Sequence, residues 1–501
     1  RSGFTIAKCF IRPKEPRMNS GIFSVSRFFP RLSVLLLLVG GCASGPGHRS
    51  TDMHLPGAWP ANKVMTADHK EDLQDWWTGF QDPDLNKLVG RALRDNHDVR
   101  LQAARVQEAR ARLGFARADQ LPTVNIQAEA ARQQQSGSTS GLSPATGPTG
   151  KLLSIAGILG YELDIWGRLA MEREAAEAIL QESRFAHEAV RLSVISDLVV
   201  TYFNFKAAQR ELEITLKTLE SHRETYNLEL IRHQAGQIDE LILRQAESQM
   251  ETTKALIPVR VRQVRTLEGA LGVLAGLSPA ELFDKPEIGS GSLQEIRLPG
   301  SIPEMLPSAL LDRRPDIRAA EAGVAAAGAA VGIARADRLP RLNLAALLGT
   351  AAIGTGDLFT SSARTWNVGT QASGALFDFG RNKARVETAE AQYIQAEIHY
   401  ETAVRTAFNE VRDALVLYQS SVDHQEAVER QLSTVRQTRN LARVRYREGM
   451  VGFIEFLDAE RALFSAEQTM NNAVRDRLSA AATLFKVLGG GWNPASINNS
   501  G

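Results

Sequence analysis

The sequence predicts a mainly helical chain with a small β part, arranged as two tandem copies of one unit. Three observations predict it. Residues 381–448 contain neither Gly nor Pro, and Gly380 and Gly449 close the two ends. Residues 168–235 form a second such stretch of equal length, between Gly167 and Gly236. Both ends are displaced by 213 positions (381 − 168). Upstream, Ala116-Arg117-Ala118-Asp119-Gln120-Leu121-Pro122 is echoed by Ala334-Arg335-Ala336-Asp337-Arg338-Leu339-Pro340, at an offset of 218 (334 − 116). An unbroken helix of either length spans on the order of 100 Å. Globular helices run about 8–20 residues, so neither stretch fits a compact domain. The repeating unit, roughly 200 residues, far exceeds solenoid repeats of about 20–50.

The second long stretch repeats apolar residues in steps of four and three: Val404, Phe408, Val411, Leu415, Tyr418, Val422. That is a heptad seam, which lies along other helices. It continues onto Gln425 and Glu429 before Leu432. Small residues such as Ala384, Ala396 and Ala403 let neighbouring helices approach closely.

Taken from its start, the chain opens with residues that read as untranslated or added sequence, because Met18 is the first Met. Residues 18–41 read as a signal peptide. Arg27 and Arg31 form the basic region, residues 32–39 the apolar one, and Gly40 and Gly41 precede Cys42. The apolar run is too short to cross a bilayer, which takes about 20 residues. Val39-Gly40-Gly41-Cys42 resembles a lipobox, with Cys42 as the lipidated residue; a plain signal peptide is the alternative. Ala43 at the next position resembles sorting to the outer membrane. Residues 42–75 then read as an irregular, lipid-anchored tether, and several acyl chains hold such an anchor firmly.

The first repeat is read as 76–275. After Trp76-Trp77, a helix is expected from about 85 to 118, ended by Pro122. Val124, Ile126 and Ala128 alternate with Asn125, Gln127 and Glu129, which predicts a strand with one apolar and one polar face. A turn-rich loop covers 136–150, and a second strand covers 151–163. The long helix follows, then a return helix over about 240–271 in which Pro258 predicts a kink. Residues 276–302 read as a linker, rich in Pro and Gly. The second repeat, 303–488, follows the same plan. Pro315 and Asp316 start its first helix, with the ring at the first position and negative charge at the positive end. Residues 489–501 read as a disordered tail.

Lys plus Arg is 58 and Asp plus Glu is 57, so no basic field for nucleic acid exists. Cys9 and Cys42 are the two cysteines, which leaves no disulfide framework or CxxC metal site. There is no Gly-rich phosphate loop and no HExxH, so no catalytic or cofactor site is read. His187, His222, His233, His399 and His424 are scattered singly and read as solvated helix residues. Asp312 and Asp316 read as helix-start charges rather than a catalytic pair.

Four strands cannot close a membrane barrel, since the smallest have about eight. A spanning sheet must close, because open edges are not tolerated in lipid. If these strands span a membrane, the chain therefore oligomerises into a tube. The alternative is a soluble protein with two helical hairpins and small capping sheets.

Tyr161-Glu162-Leu163-Asp164-Ile165-Trp166-Gly167-Arg168 and Arg313-Arg314-Pro315-Asp316-Ile317-Arg318-Ala319-Ala320-Glu321 resemble signatures of the TolC-like outer-membrane efflux factors. The lipobox and Trp76-Trp77 resemble the NodT/OprM-like lipoprotein branch. The resemblance covers almost all of 42–492. It implies a homotrimer: a twelve-stranded β-barrel in outer-membrane lipid, four strands per chain, continued by an α-helical barrel across the periplasm. It implies a periplasmic adaptor (membrane fusion) protein and an inner-membrane pump, usually of the RND class, as partners. It implies an efflux duct for drugs or small toxic compounds, with no catalysis and no cofactor. A duct for type I protein secretion or for metal efflux is the alternative within transport. A non-conducting structural periplasmic lipoprotein is the alternative of another class.

The resemblance also implies site residues. The two helix-to-helix turns dock the adaptor: Arg232 and Gly236 in the first, Arg445, Tyr446, Gly449 and Gly452 in the second. Ile454, Asp458 and Arg461 fall at i, i+4 and i+7, on one helix face. The resemblance places the periplasmic gate there, with an apolar Ile454 ring, an Asp458 ring selecting cations, and Arg461 pairing with Asp458. The acidic residue common near Gly452 in that branch is absent here.

Overall fold

The computed structural model describes residues 56–57, 59, 65–66, 73–134, 149–283, 289, 291–299, 302–303 and 307–493. The predicted signal peptide, Cys42, most of the tether and most of the tail lie outside the described residues, as does nearly all of the 136–150 loop.

Two helices stand where one was expected. α1 is Pro83–Asp95 and α2 is His97–Ala118. Asn96 separates them with extended backbone (φ −61°, ψ 133°). Its Oδ1 accepts the N–H groups of Asp98 and Val99, capping α2, and its Nδ2 donates to the Leu274 carbonyl at 2.9 Å. A cap of this kind satisfies orphan donors at a helix start. Here the side chain also reaches a carbonyl far along the chain, which local periodicity does not reveal.

The strands are β1 (Thr123–Gln134) and β2 (Thr149–Leu163). α3 (Arg168–Gln234, 67 residues) and α4 (Glu240–Leu274, 35 residues) follow. The second half repeats this order: α5 (Pro315–Ala336), β3 (Arg341–Ala352), β4 (Arg364–Ser373), α6 (Arg381–Arg447, 67 residues) and α7 (Phe453–Val487, 35 residues). α4 runs through Pro258 as one continuous helix. The described residues of the predicted linker form short elements. They are a short helix, Pro279–Phe283, a 3-10 turn, Leu293–Glu295, and a two-residue strand, Ile302–Pro303, paired with Met65–Thr66. Lys206, buried on α3, donates to the carbonyls of Gly289 and Gly291, 2.9 Å each, and so ties the linker to the long helix.

The four strands make one antiparallel sheet in the order β1-β2-β3-β4. Val124 pairs with Leu159, Leu159 with Ala346 and Ala346 with Val368, so one face carries an apolar row from edge to edge. Among the described residues nothing covers it: Val124, Ile126, Leu348 and Trp366 are each more than 70% exposed.

The main core lies partway along the long helices. Trp76 stacks on Phe485 at 5.5 Å, Phe80 meets Phe203 edge-on at 5.0 Å, and the Tyr202 hydroxyl donates to Asp82 at 2.7 Å. Val404, Val411 and Leu415 of the α6 seam are buried as expected. Further along, the buried positions are Ser421, Val428 and Leu432, while Glu429 faces outward. With Ala407 and Ala414, also buried, the row keeps a seven-residue spacing (407, 414, 421, 428), so a buried seam runs three residues after each of Val404 and Val411, where the predicted one steps four.

Candidate functional site

Both long helices end in the same way. Gly236 (φ +68°) and Gly449 (φ +70°) adopt the left-handed conformation. Gln237 N–H donates back to the Arg232 carbonyl at 2.9 Å, and Met450 N–H to the Arg445 carbonyl at 2.8 Å. These are Schellman closures, which glycine makes without Cβ strain. The two return helices start differently. Asp239 caps α4 by accepting the Ile242 N–H at 3.1 Å. Gly452 opens α7 with no side chain to do so.

The structure brings two of the predicted tip residues together and leaves the others on the surface. The Arg232 guanidinium lies over the Tyr446 ring, 5.4 Å from its centroid. Tyr446 in turn stacks parallel on Phe456 at 5.3 Å. Behind them Glu229 is completely buried, 3.5 Å from Arg232. Burial, with the Glu229 carboxylate bonded beside it, pushes the Tyr446 hydroxyl well above its ordinary pKa. One chain's two hairpin ends are thus interlocked. Arg445, Gly236, Gly449 and Gly452 are exposed.

Ile454, Asp458 and Arg461 share the exposed face of α7, opposite the buried Phe453, Phe456 and Leu457. Asp458 and Arg461 are 3.8 Å apart and both largely exposed, so the pair itself is weak. Arg461 has a second partner: its Nε donates to Gln249 Oε1 at 2.9 Å, crossing from α7 to α4.

His222 is not a solvated residue; it is only 4% exposed. Its Nδ1 lies 2.9 Å from Thr253 Oγ1, which itself donates to the Gln249 carbonyl. Nδ1 therefore carries the proton and donates. Burial, with Arg461 and Arg439 nearby, pushes the imidazole down to about 4. Arg439 is held by the buried Glu460 at 2.7 Å. His222, Glu229, Gln249 and Glu460 were not read as site residues. A signal existed for some of them: Glu211, Thr215, His222 and Glu229 follow at steps of four, seven and seven, the spacing of a polar seam. Among the described residues, no group of three His, Cys, Asp or Glu side chains is placed to hold a metal ion.

An open sheet with one bare apolar face, carried on two very long helical hairpins, is a wall section of a membrane tube rather than a self-contained globule. The chain belongs to the outer membrane efflux protein family, whose profile matches residues 88–277 and 306–490, one segment in each half. It is similar to the cation efflux system protein CusC of Escherichia coli, 32% identical over 458 residues, spanning 91% of this chain and 97% of CusC. It is also similar to the toluene efflux pump outer membrane protein TtgC of Pseudomonas putida, 30% identical over 466 residues, spanning 92% of this chain and 95% of TtgC. Among solved structures it superposes on the outer-membrane channel OprN with a TM-score of 0.81 at 31% identity, covering 90% of this chain and all of OprN. The fold is that of these channels: long helical hairpins on a four-stranded sheet.

Proposed function

We propose that this protein is the exit duct of an efflux system in the outer membrane of a Gram-negative bacterium, passing small toxic compounds from the periplasm to the exterior. The observation that carries this reading is the sheet. Its apolar face is bare and its two edges, β1 and β4, have no further partner strand among the described residues. Such a sheet enters lipid only when closed. Three copies supply twelve strands, and the helices, about 100 Å long, continue the wall into the periplasm.

In this reading 76–275 and 303–488 are the two wall repeats, 276–302 wraps the middle of the tube, and lipidated Cys42 tethers it. The tips around Gly236 and Gly449 dock a periplasmic adaptor, and an inner-membrane pump of the RND class supplies the energy, so the chain itself catalyses nothing. Ile454 and Asp458 of three copies ring the inner aperture, with Arg461 as their tie to α4. Similarity to CusC, a cation efflux system protein, favours a second reading of the cargo, a cation; similarity to TtgC, of a toluene efflux pump, favours an organic solvent.

Purified protein in a planar bilayer, with its mass measured under native conditions, tests the duct. The expected result is a trimer with discrete single-channel steps. A monodisperse monomer, or a trimer with no current even after Asp458→Ala, would remove it. Mass spectrometry of the mature N-terminus reads the Cys42 modification separately.

A further inference from the structure

The two faces of the sheet carry different charges. Alternate residues make up the bare apolar face. On β1 that row ends at Ala130 and Arg132, on β2 it runs from Leu163 to Leu153 and Lys151, and on β4 it ends at Trp366 and Arg364. The other charged residues of the four strands, Glu129, Glu162 and Arg341, fall on the opposite face. The apolar face thus bears three cations and no anion. All three stand at the end where loops join the strands. The end that meets the helices has no charge on this face.

The spacing sets their depth in the proposed duct. From Leu163 to Leu153 the row covers 10 residues (163 − 153), about 33 Å along the strand. Barrel strands tilt by about 35–45°, which leaves about 25 Å of height, the thickness of the apolar band of a membrane barrel. Lys151, the next residue of the row, therefore stands at the level of the lipid headgroups. Arg132 is its direct partner across the ladder. Like charges directly opposite in a sheet repel each other. Arg132, Lys151 and Arg364 are exposed, and among the described residues no side chain pairs with any of them. Neutralising the repulsion is left to an anion from outside the chain.

We infer that Arg132, Lys151 and Arg364 bind the phosphate groups of an anionic lipid in the outer leaflet. The leaflet follows from direction, since the helices leave the opposite end of the strands for the periplasm. Guanidinium groups fork onto phosphate oxygens through paired N–H donors, and an ammonium adds a point charge. Clusters of Lys and Arg at a membrane surface select anionic lipids in this way. Trp366, 74% exposed and two residues from Arg364 on the same face, sets an aromatic ring beside the site, as in the girdles of membrane barrels. This inference rests on the membrane-spanning duct proposed above and adds the class of lipid that its outer rim selects.

The test titrates the purified full-length trimer in detergent with lipid A, a phosphorylated glycolipid, or with zwitterionic phosphatidylcholine. Native mass spectrometry counts the bound lipid. The expected preference for lipid A is on the order of tenfold and falls as salt is raised. Arg132→Gln, Lys151→Gln and Arg364→Gln together should abolish it. Lys151→Gln alone should lower it by a smaller factor, and Lys151→Arg should keep it. Glu129→Gln, on the opposite face, should leave it unchanged. Equal binding of both lipids by the parent, or a preference that survives the triple substitution, overturns the site, while the trimer mass in the same spectra keeps the duct. No trimer in the parent overturns both. Loss of the preference on adding inorganic phosphate at the lipid's own concentration would assign the site to a soluble anion and overturn the lipid.

Discussion

The middle of the long helices and their tips are held by different chemistry. In the middle, Trp76, Phe80, Phe203 and Phe485 pack as an apolar core. At the tips a small apolar cluster around Phe453 and Phe456 is flanked by buried polar groups: His222, Glu229 and Glu460, with Arg439 and Arg232 against them. An apolar core loses stability smoothly as atoms are removed. A buried polar lock loses its hold when one partner is changed or one proton moves, because the other partner is left unsatisfied. The difference teaches that the middle resists change as a unit, while in the proposed duct the tips are the part able to open.

The largest effect is expected in the middle. Phe203→Ala removes a fully buried ring and should lower unfolding stability by about 3–5 kcal/mol. Chemical denaturation checks this. A loss as small as that of a surface substitution would dissolve the contrast between wall and tip.

Next comes the lock itself. Glu229→Ala leaves Arg232 and the Tyr446 hydroxyl without their carboxylate, at a cost of about 1–3 kcal/mol. The loss should be local. Hydrogen exchange should quicken around 229 and 446 and stay at the parent rate around 203, and single-channel conductance should rise. Quickening along the whole helix would mean that tip and wall form one cooperative unit.

His222 adds a dependence on pH. Its folded-state value, about 4, lies below the ordinary 6.5, so the unfolded chain binds a proton first as the pH falls. Stability from the neutral imidazole is therefore complete above about 6.5 and is lost progressively towards about 4. Protonation also adds a third positive charge beside Arg461 and Arg439, while Glu460 already answers Arg439 and Asp458 already answers Arg461. Between pH 7 and pH 5 the amides near 222 and 253 should lose protection ahead of those near 203. In His222→Gln this difference should shrink, and equal pH sensitivity in both proteins would assign the effect to another group.

The smallest stability effect belongs to Asp458→Ala. Its ion pair with Arg461 is exposed and worth about 0.2–0.5 kcal/mol, so the unfolding curve should barely move. Conductance should nevertheless rise, because the carboxylate faces the aperture in the proposed ring. Unchanged conductance would move the gate away from Asp458, and the Arg461–Gln249 bond would then be the next tie to cut.

Much of the fold is legible along the chain because its causes are local. The long helices run where Gly and Pro are absent and stop at Gly236 and Gly449, whose backbone closes a helix without reference to anything distant. Strand alternation at Val124 and Ile126 and the echo of one half in the other are equally local patterns. What the tertiary structure alone decided is the partnering of polar side chains. Asn96 breaks a helix that reads as continuous because Leu274 offers it a carbonyl. His222 is buried rather than solvated because Thr253 meets it from α4. Arg461 ties to Gln249, a residue 212 positions away, as well as to its helical neighbour Asp458. Backbone preference and apolar periodicity are set by neighbours within a few residues. A buried hydrogen bond depends on which distant group arrives opposite, and only the packed helices determine that.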